Sequence, residues 1–392
     1  MTPALPTKTA ALRANTPALR AKAGAPHRWV LAGGGTGGHV TPALALAERI
    51  RERGDDVTLL GARLGLESRL VPAAGFDLVM LPARQIMGRN PMARIAAVFT
   101  IGLACVEAWR VLGRLRAEIV VSVGGYASIP AVVAAVLRRI PVALIEPNAV
   151  PGRANRSAAR FARLIFVQFD TALRALAGGD EERGRILGIP LRQALVSAFS
   201  EQGERRRPAR PLRLLVFGGS QGARQINEAM IEAAPSLDPA ALEIFHQTGD
   251  SDRERVAQAY RDAGLGAEVV AFETDMPARY SWADVALCRS GALTVAELAM
   301  AGLPSLLVPY PFAADDHQRA NARALEEAGA ARLLASNPLT SDDVLKALCD
   351  IQDDANTLVD MSIRAASLAH PHAAERIIEA CLELLPHSSE DA

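Results

Sequence analysis

Residues 29–50, WVLAGGGTGGHVTPALALAERI, run from an apolar segment through five glycines and a histidine into an alanine- and leucine-rich segment. The pattern reads as strand, glycine turn and helix. Glycine lets backbone N–H groups crowd round an anion with no Cβ in the way, and the helix N-terminus adds partial positive charge. Gly33, Gly35 and Gly38 satisfy the dinucleotide fingerprint G-x-G-x-x-G. That fingerprint also wants an acidic residue at the end of the next strand, to hold ribose hydroxyls. Here VTLL (57–60) runs into Gly61, Ala62 and Arg63, while Asp55 and Asp56 precede it. An NADP site on Arg63 is the residual cofactor reading. His39, closing the turn, reads either as an ordinary helix-start residue or as a proton acceptor beside an anion site.

Outward from this turn, short apolar runs alternate with helical stretches along the whole chain. Strands are expected at Trp29–Ala32, Val57–Leu60, Leu78–Leu81, Ile119–Val123, Val142–Ile145 and Leu164–Val167. A second set is expected at Leu212–Phe217, Glu243–Gln247, Val269–Phe272, Val285–Cys288 and Ser305–Val308. Most are continuous apolar runs, as in parallel strands buried on both faces. LRLLVFGGSQGARQIN (212–227) repeats the strand, glycine turn and helix of the opening. Just before it, SEQGERRRPARP (200–211) is highly charged and reads as an interdomain connection. The expected organisation is a tail over 1–27, a first domain over 28–199, the linker, a second domain over 212–372, and a C-terminal helix and tail over 373–392, the helix packing back on the first domain. The fold class is α/β, with two doubly wound parallel-sheet domains facing one cleft.

Composition narrows the function. The 392 residues carry zero formal net charge, which disfavours a dedicated nucleic-acid binder. Cys105, Cys288, Cys349 and Cys381 are scattered without paired spacing, so neither a disulfide framework nor a zinc site is suggested. Residues 1–27 lack the apolar core of a signal peptide and read as a disordered basic tail; a weak contact with an anionic membrane is the alternative. IAAVFTIGLACV (95–106) has 12 uncharged residues, short of the ~20 needed to span a bilayer. Neither main glycine turn carries the Gly-Lys-Ser/Thr of a P-loop, which argues against ATP hydrolysis.

Other residues have the right chemistry for a nucleotide sugar. VVSVGGYASIP (120–130) and ADVALCRSGALTVAELAMAGLP (283–304) are further strand-end glycine turns, the latter leading to Glu297. A carboxylate there either caps the helix or accepts two vicinal ribose hydroxyls. Asp250-Ser251-Asp252 imitates a metal-binding Asp-x-Asp but reads as a polar turn. Without metal or cofactor, a leaving diphosphate needs helix N-termini and an arginine, and Arg192 is the candidate.

GGGTGGHVTPALALA, SVGGYASIPAVVAA, EPNAVPGRANR, GGSQGARQIN, HQTG, CRSGALTVAELAMAGLP and DDHQRANA occur in this order. Together they resemble the MurG family of bacterial transferases, over residues 28–386. The resemblance implies a metal-independent, inverting enzyme of GT-B fold that adds N-acetylglucosamine to undecaprenyl-diphospho-N-acetylmuramoyl-pentapeptide. It implies that Thr36, Gly37 and Gly38 line the cleft, with His39 assisting deprotonation of the acceptor hydroxyl and Glu146 as second candidate base. Tyr126 and Asn148 share that wall, Asn148 towards the donor sugar. Ser220 and Arg192 meet the UDP diphosphate, and the backbone at Glu273 reads the uracil edge. Ala292, Leu293, Thr294, Val295, Ala296 and Glu297 form the donor helix start, with Glu297 on the ribose. Gln318, helped by His317, binds sugar hydroxyls, and Asn321 orients the helix behind it. The family pattern His-Glu-Gln-Asn is Ile145-Glu146-Pro147-Asn148 here, and Gly-Asn-Pro is Gly188-Ile189-Pro190.

RQIMGRNPMARIAAVF (84–99) sets Ile86, Met87 and Met92 among Arg89 and Arg94. This suits either a core helix with surface arginines or an anionic membrane interface, and the resemblance favours the membrane. It places the protein on the cytoplasmic face of the bacterial inner membrane, with cell-wall synthesis complexes as further partners. Two other readings stand beside it. One is a UDP-N-acetylglucosamine 2-epimerase, which needs no lipid face; the other is a non-catalytic sugar-nucleotide-binding membrane scaffold.

Overall fold

A computed structural model describes residues 25–62, 65–82, 91–180, 182–200, 205–219, 222–352 and 355–386. Residues 1–24 of the tail read over 1–27, the anchors Ile86, Met87 and Arg89, and Ser220 lie outside the described residues. So do the side chains of Met92 and Arg94, although the helix Pro91–Arg114 carries both positions.

Thirteen described strands form two sheets. The first comprises β1 (Arg28–Gly33), β2 (Asp56–Ala62), β3 (Asp77–Leu81), β4 (Ile119–Gly124), β5 (Val142–Glu146), β6 (Leu164–Val167) and β7 (Gly184–Ile186). The second comprises β8 (Leu212–Phe217), β9 (Leu242–Gln247), β10 (Gly266–Val270), β11 (Val285–Cys288), β12 (Ser305–Leu307) and β13 (Ala331–Leu333). Their orders are β3-β2-β1-β4-β5-β6-β7 and β10-β9-β8-β11-β12-β13. All pairings are parallel. Both sheets therefore reverse direction beside their first strand, and a doubly wound sheet binds ligands at that crevice.

The continuous apolar runs are explained by helices on both faces. Trp29 and Leu31 of β1 face one core, while Val30 and Ala32 face another, following the two-residue period of a strand. Beyond the second sheet a third core holds Leu214, Val216 and Leu287. The cluster around Trp29 and Leu31 continues through Ile377 and Ile378 to Leu215, Val295 and Leu298, so both domains share apolar packing.

Two segments cross between the domains. Arg205, after the first domain, donates from Nη1 to the Ala301 carbonyl (2.8 Å) and from Nη2 to those of Tyr280 (2.8 Å) and Ala283. These carbonyls close two helix C-termini, where a cation is favourable. Residues 368–372 form the return crossing, and Gly188 (φ +73°) lies so close to the His370 ring that a Cβ would collide with it. The helix Ala373–Leu382 then packs on the first domain, where Glu375 pairs with Arg49.

Three edge features depart from the sequence reading. The run expected at 269–272 is instead β10, ending at Val270, because its register pairs Val270 with Gln247; Phe272 lies beyond the ladder and is 57% exposed. The three-residue β7 and β13 carry too little apolar periodicity to stand out. Among the described residues no helix is long and apolar enough to cross a membrane.

Candidate active site

At the first crevice, the turns after β1 and β4 lie against each other. Gly125 has φ +82°, and a Cβ there would collide with the Gly34 carbonyl. Gly124 has φ +98°, and its Cβ would come within 2.8 Å of His39 Cδ2. Only glycine lets these turns meet with the imidazole between them. His39 Nδ1 is 2.9 Å from Thr36 Oγ1. Burial, then the charge of His317, push the His39 pKa down to about 4, against a raising influence of Glu67. The ring is therefore neutral at physiological pH and keeps a nitrogen lone pair. The helix that starts at Gly37 leaves the amides of Thr36, Gly37 and Gly38 without a partner among the described residues. Tyr126 lies against Gly35, and burial followed by Glu67 holds its phenol protonated.

Glu67 is the residue that sequence reasoning missed. It is 1% exposed, and its carboxylate accepts from the amides of Ala62 (2.8 Å) and Gly35 (2.9 Å). The signal was present as a carboxylate beyond the second strand. It lies past the position where a ribose-binding acid is sought, and it turns inward.

Glu146 ends β5 and is 1% exposed. Its Oε1 accepts from Asn148 N (2.9 Å) and Asn148 Nδ2 (3.2 Å). Its Oε2 accepts from Gly152 N (2.9 Å) and Asn155 Nδ2 (3.0 Å). A carboxylate has about four lone-pair sites, so none is left for a substrate proton. The geometry corrects the expectation of a second base: Glu146 shapes the turn that carries Asn148. Asn321, expected only to orient a helix, is fully buried and ties the domains together. Its Oδ1 accepts from Ala149 N (2.8 Å); its Nδ2 donates to the Ser290 carbonyl (3.1 Å) and Asn148 Oδ1 (3.2 Å). Arg156 adds an ion pair to Asp315 across the same gap at 2.7 Å.

In the second domain the HQTG run supports the glycine turn after β8. Gln247 Nε2 donates to the Gly219 carbonyl (2.7 Å), and Gly222 packs against the Thr248 carbonyl where a Cβ would collide. His246 is buried between Tyr260 (2.8 Å) and Asn227 (3.1 Å), and burial pushes its pKa down to about 3. Asp252 is held by Asn227 (2.9 Å) and Arg255 (2.9 Å), so its oxygens serve the fold.

The helix Ala292–Met300 begins at the second crevice. Ala292, Leu293 and Thr294 occupy its first turn, where N–H groups lack intrahelical partners. Val295 follows at the helix start as expected, with its side chain fully buried and its N–H donating to the Gly291 carbonyl (3.0 Å). Ala296 is half-buried behind it. Glu297 accepts from the buried Tyr280 hydroxyl at 2.8 Å. Burial raises the Glu297 pKa to about 7, opposed by Tyr280 and by Arg192. Arg192 is exposed at the start of the helix Gln193–Phe199. The Glu273 side chain folds back on Thr274 N (2.7 Å), Asp275 N (2.8 Å) and Arg279 Nε (2.7 Å). Gln318 Oε1 accepts from Tyr310 N (2.9 Å), which leaves its amide NH2 as donor. His317 Nδ1 donates to the Ala314 carbonyl (2.7 Å).

The crevices thus place two helix starts in one cleft, with a neutral histidine on one side and a carboxylate–tyrosine pair on the other. Models of the glycosyltransferase family 28 N-terminal and C-terminal domains match residues 29–167 and 213–377. The chain belongs to glycosyltransferase family 28. Within that family a Nitratidesulfovibrio vulgaris protein is 42% identical over 91% of this chain and 98% of its own length. One from Myxococcus xanthus is 39% identical over 91% and 92%. Both are named UDP-N-acetylglucosamine--N-acetylmuramyl-(pentapeptide) pyrophosphoryl-undecaprenol N-acetylglucosamine transferase. The crystal structure of Acinetobacter baumannii MurG matches with TM-score 0.76 and 32% identity, covering 92% of this chain and all of that one. These matches bear out the MurG resemblance and the GT-B fold. A UDP-GlcNAc 2-epimerase from Neisseria meningitidis shares the fold at TM-score 0.62, with 13% identity over 91% of this chain and 99% of that one.

Proposed function

We propose that the protein transfers N-acetylglucosamine from UDP-GlcNAc to the C4 hydroxyl of undecaprenyl-diphospho-N-acetylmuramoyl-pentapeptide, with inversion at the anomeric carbon. The observation that carries the reading is the opposition of His39, neutral beside three amides that have no partner among the described residues, to Glu297 and Gln318 on the facing domain.

In this reading the acceptor diphosphate lies on the amides of Thr36, Gly37 and Gly38. The acceptor hydroxyl gives its proton to the free ring nitrogen of His39 as its oxygen bonds the anomeric carbon. The bond from that carbon to the diphosphate oxygen breaks, and UDP leaves with the electron pair. Charge on the departing diphosphate meets the amides of Ala292, Leu293 and Thr294, with Arg192 and Ser220. Glu297 accepts ribose hydroxyls, the Glu273 backbone meets uracil, and Asn148, Gln318 and His317 hold the sugar. Tyr126 lines the acceptor wall.

The domain boundaries read from the sequence serve this division: acceptor over 28–199, donor over 212–372. A membrane face fits the helix Pro91–Arg114. Leu103, Val106 and Trp109 are 50%, 48% and 44% exposed on it, and Leu137 of the neighbouring helix is 68% exposed. Arg138 stacks over the Trp109 ring at 4.0 Å. Apolar anchors with basic neighbours suit an anionic surface, and in this reading the enzyme works at the cytoplasmic face of the inner membrane.

The test supplies labelled UDP-GlcNAc with and without a short-chain lipid-diphospho-muramoyl acceptor, in EDTA. Acceptor-dependent transfer that ignores EDTA is expected. Release of epimerised UDP-sugar without acceptor would defeat the proposal.

A further inference from the structure

The fingerprint glycines at 33–38 satisfy the letter of a nucleotide turn, yet an anion from the protein itself is already inside it. Glu67 begins the helix Glu67–Ala73, five residues beyond the end of β2 at Ala62. Its carboxylate is held by the amides of Gly35 and Ala62 at 2.9 and 2.8 Å. Gly34 and Gly65 wrap it so closely that a Cβ on either would collide with it, and a Cβ on Gly61 would collide with the Glu67 Cγ. A buried charge is tolerated only where hydrogen bonds replace its water, and two backbone amides do so here.

We propose that Glu67 is a positioning residue, an internal anion that closes the inner half of the glycine turn and leaves only its outer amides for the acceptor. Gly35 is the glycine at which a dinucleotide pyrophosphate would approach the backbone. With its N–H engaged and a carboxylate behind it, a second anion is repelled from the inner position. Thr36, Gly37 and Gly38 remain, next to His39. The groups facing His39 are Thr36, the Gly124 backbone, Glu67 from the far side of the turn, and His317 from the second domain. The carboxylate therefore also favours proton uptake by the ring as the hydroxyl is deprotonated. This assignment rests on the transferase reading above.

Glu67→Ala leaves a carboxylate-sized hollow lined by glycines, which formate fits; Glu67→Gln fills the hollow but sets an N–H against an amide donor. Both variants should raise KM for the lipid acceptor at least about tenfold, the scale of a hydrogen bond to a charged group. KM for UDP-GlcNAc should stay unchanged, because its site is on the other domain. Formate, compared with chloride at equal ionic strength, should restore the acceptor KM and raise the melting midpoint of Glu67→Ala alone. Parallel rises in both KM values without formate rescue would overturn the proposal. So would an unchanged acceptor KM in Glu67→Gln, a result readable even if Glu67→Ala does not fold. An unaltered enzyme that transfers nothing to the lipid acceptor would defeat the transferase reading; formate-dependent melting of Glu67→Ala would still support Glu67 as the internal anion of the turn.

Discussion

Replacing Asn321 with alanine tests whether the cleft is held in register by one buried amide. The substitution removes three hydrogen bonds, to Ala149 N, the Ser290 carbonyl and Asn148 Oδ1. Ala149 is 4% exposed and Ser290 is fully buried, so two backbone groups lose partners out of reach of bulk water. Each such group costs about 1–3 kcal/mol, giving about 2–6 kcal/mol for the pair. At roughly 2–4 °C per kcal/mol, calorimetry should show the melting midpoint falling by at least about 4 °C. Kinetics should show a further effect. Asn148 loses its partner on one side, and Ser290, whose hydroxyl donates to the Gln318 carbonyl at 2.8 Å, loses its partner on the other. KM should therefore rise for both substrates. Asn321→Asp, equal in size, replaces the donor facing two acceptors with a third acceptor and should do as much harm. A midpoint of Asn321→Ala within about 1 °C of the parent, less than the smallest shift worked out above, would refute the reasoning.

Four further outcomes are expected. Glu297, at about 7, takes up its proton as pH falls through neutrality, so KM for UDP-GlcNAc should climb on the acid side. Tyr280→Phe removes a hydrogen bond that lowers this pKa and should move the climb to higher pH; an unmoved profile would deny Glu297 a part in holding UDP-GlcNAc. His39→Ala should lose about 10²–10⁴-fold in kcat, the range of general-base catalysis, with both KM values little changed. Glu146→Gln, which places a donor among four donors, should chiefly lower the melting midpoint, and a larger kcat loss than that of His39→Ala would reverse the two assignments. Leu103→Glu with Val106→Glu should reduce cosedimentation with anionic vesicles while turnover of a soluble short-chain acceptor persists; equal loss of both would remove the membrane face.

The legible parts of this molecule were those where one residue type is physically required. The strands buried on both faces wrote themselves as apolar runs, and positive φ at Gly35, Gly124 and Gly222 demanded glycine. β7 and β13, three residues each at sheet edges, bury too little to leave a pattern. Motifs named the candidate site's residues but not the direction of their side chains. Motif order brought out Val295 and Glu146, whose side chains turn inward. Glu67, Tyr280 and Asn321 act through contacts 32, 17 and 172 positions away, respectively, and single residues of common types carry no local signal of such partners. His39 was legible in place, whereas its neutrality follows from burial and from His317, which only the fold brings near.

The return of the chain through residues 368–372 has a mechanical consequence. A single connection would let the donor half swivel about a point. Two spaced connections, one stitched by Arg205 and the other lodged at Gly188, leave a single line about which the halves bend. Across the cleft from that line stand the Arg156–Asp315 ion pair and the Asn321 bonds to Ala149 and Asn148, so any bend must strain these first. The same stitching makes the cleft resemble a jaw with a fixed hinge rather than a pair of sliding plates.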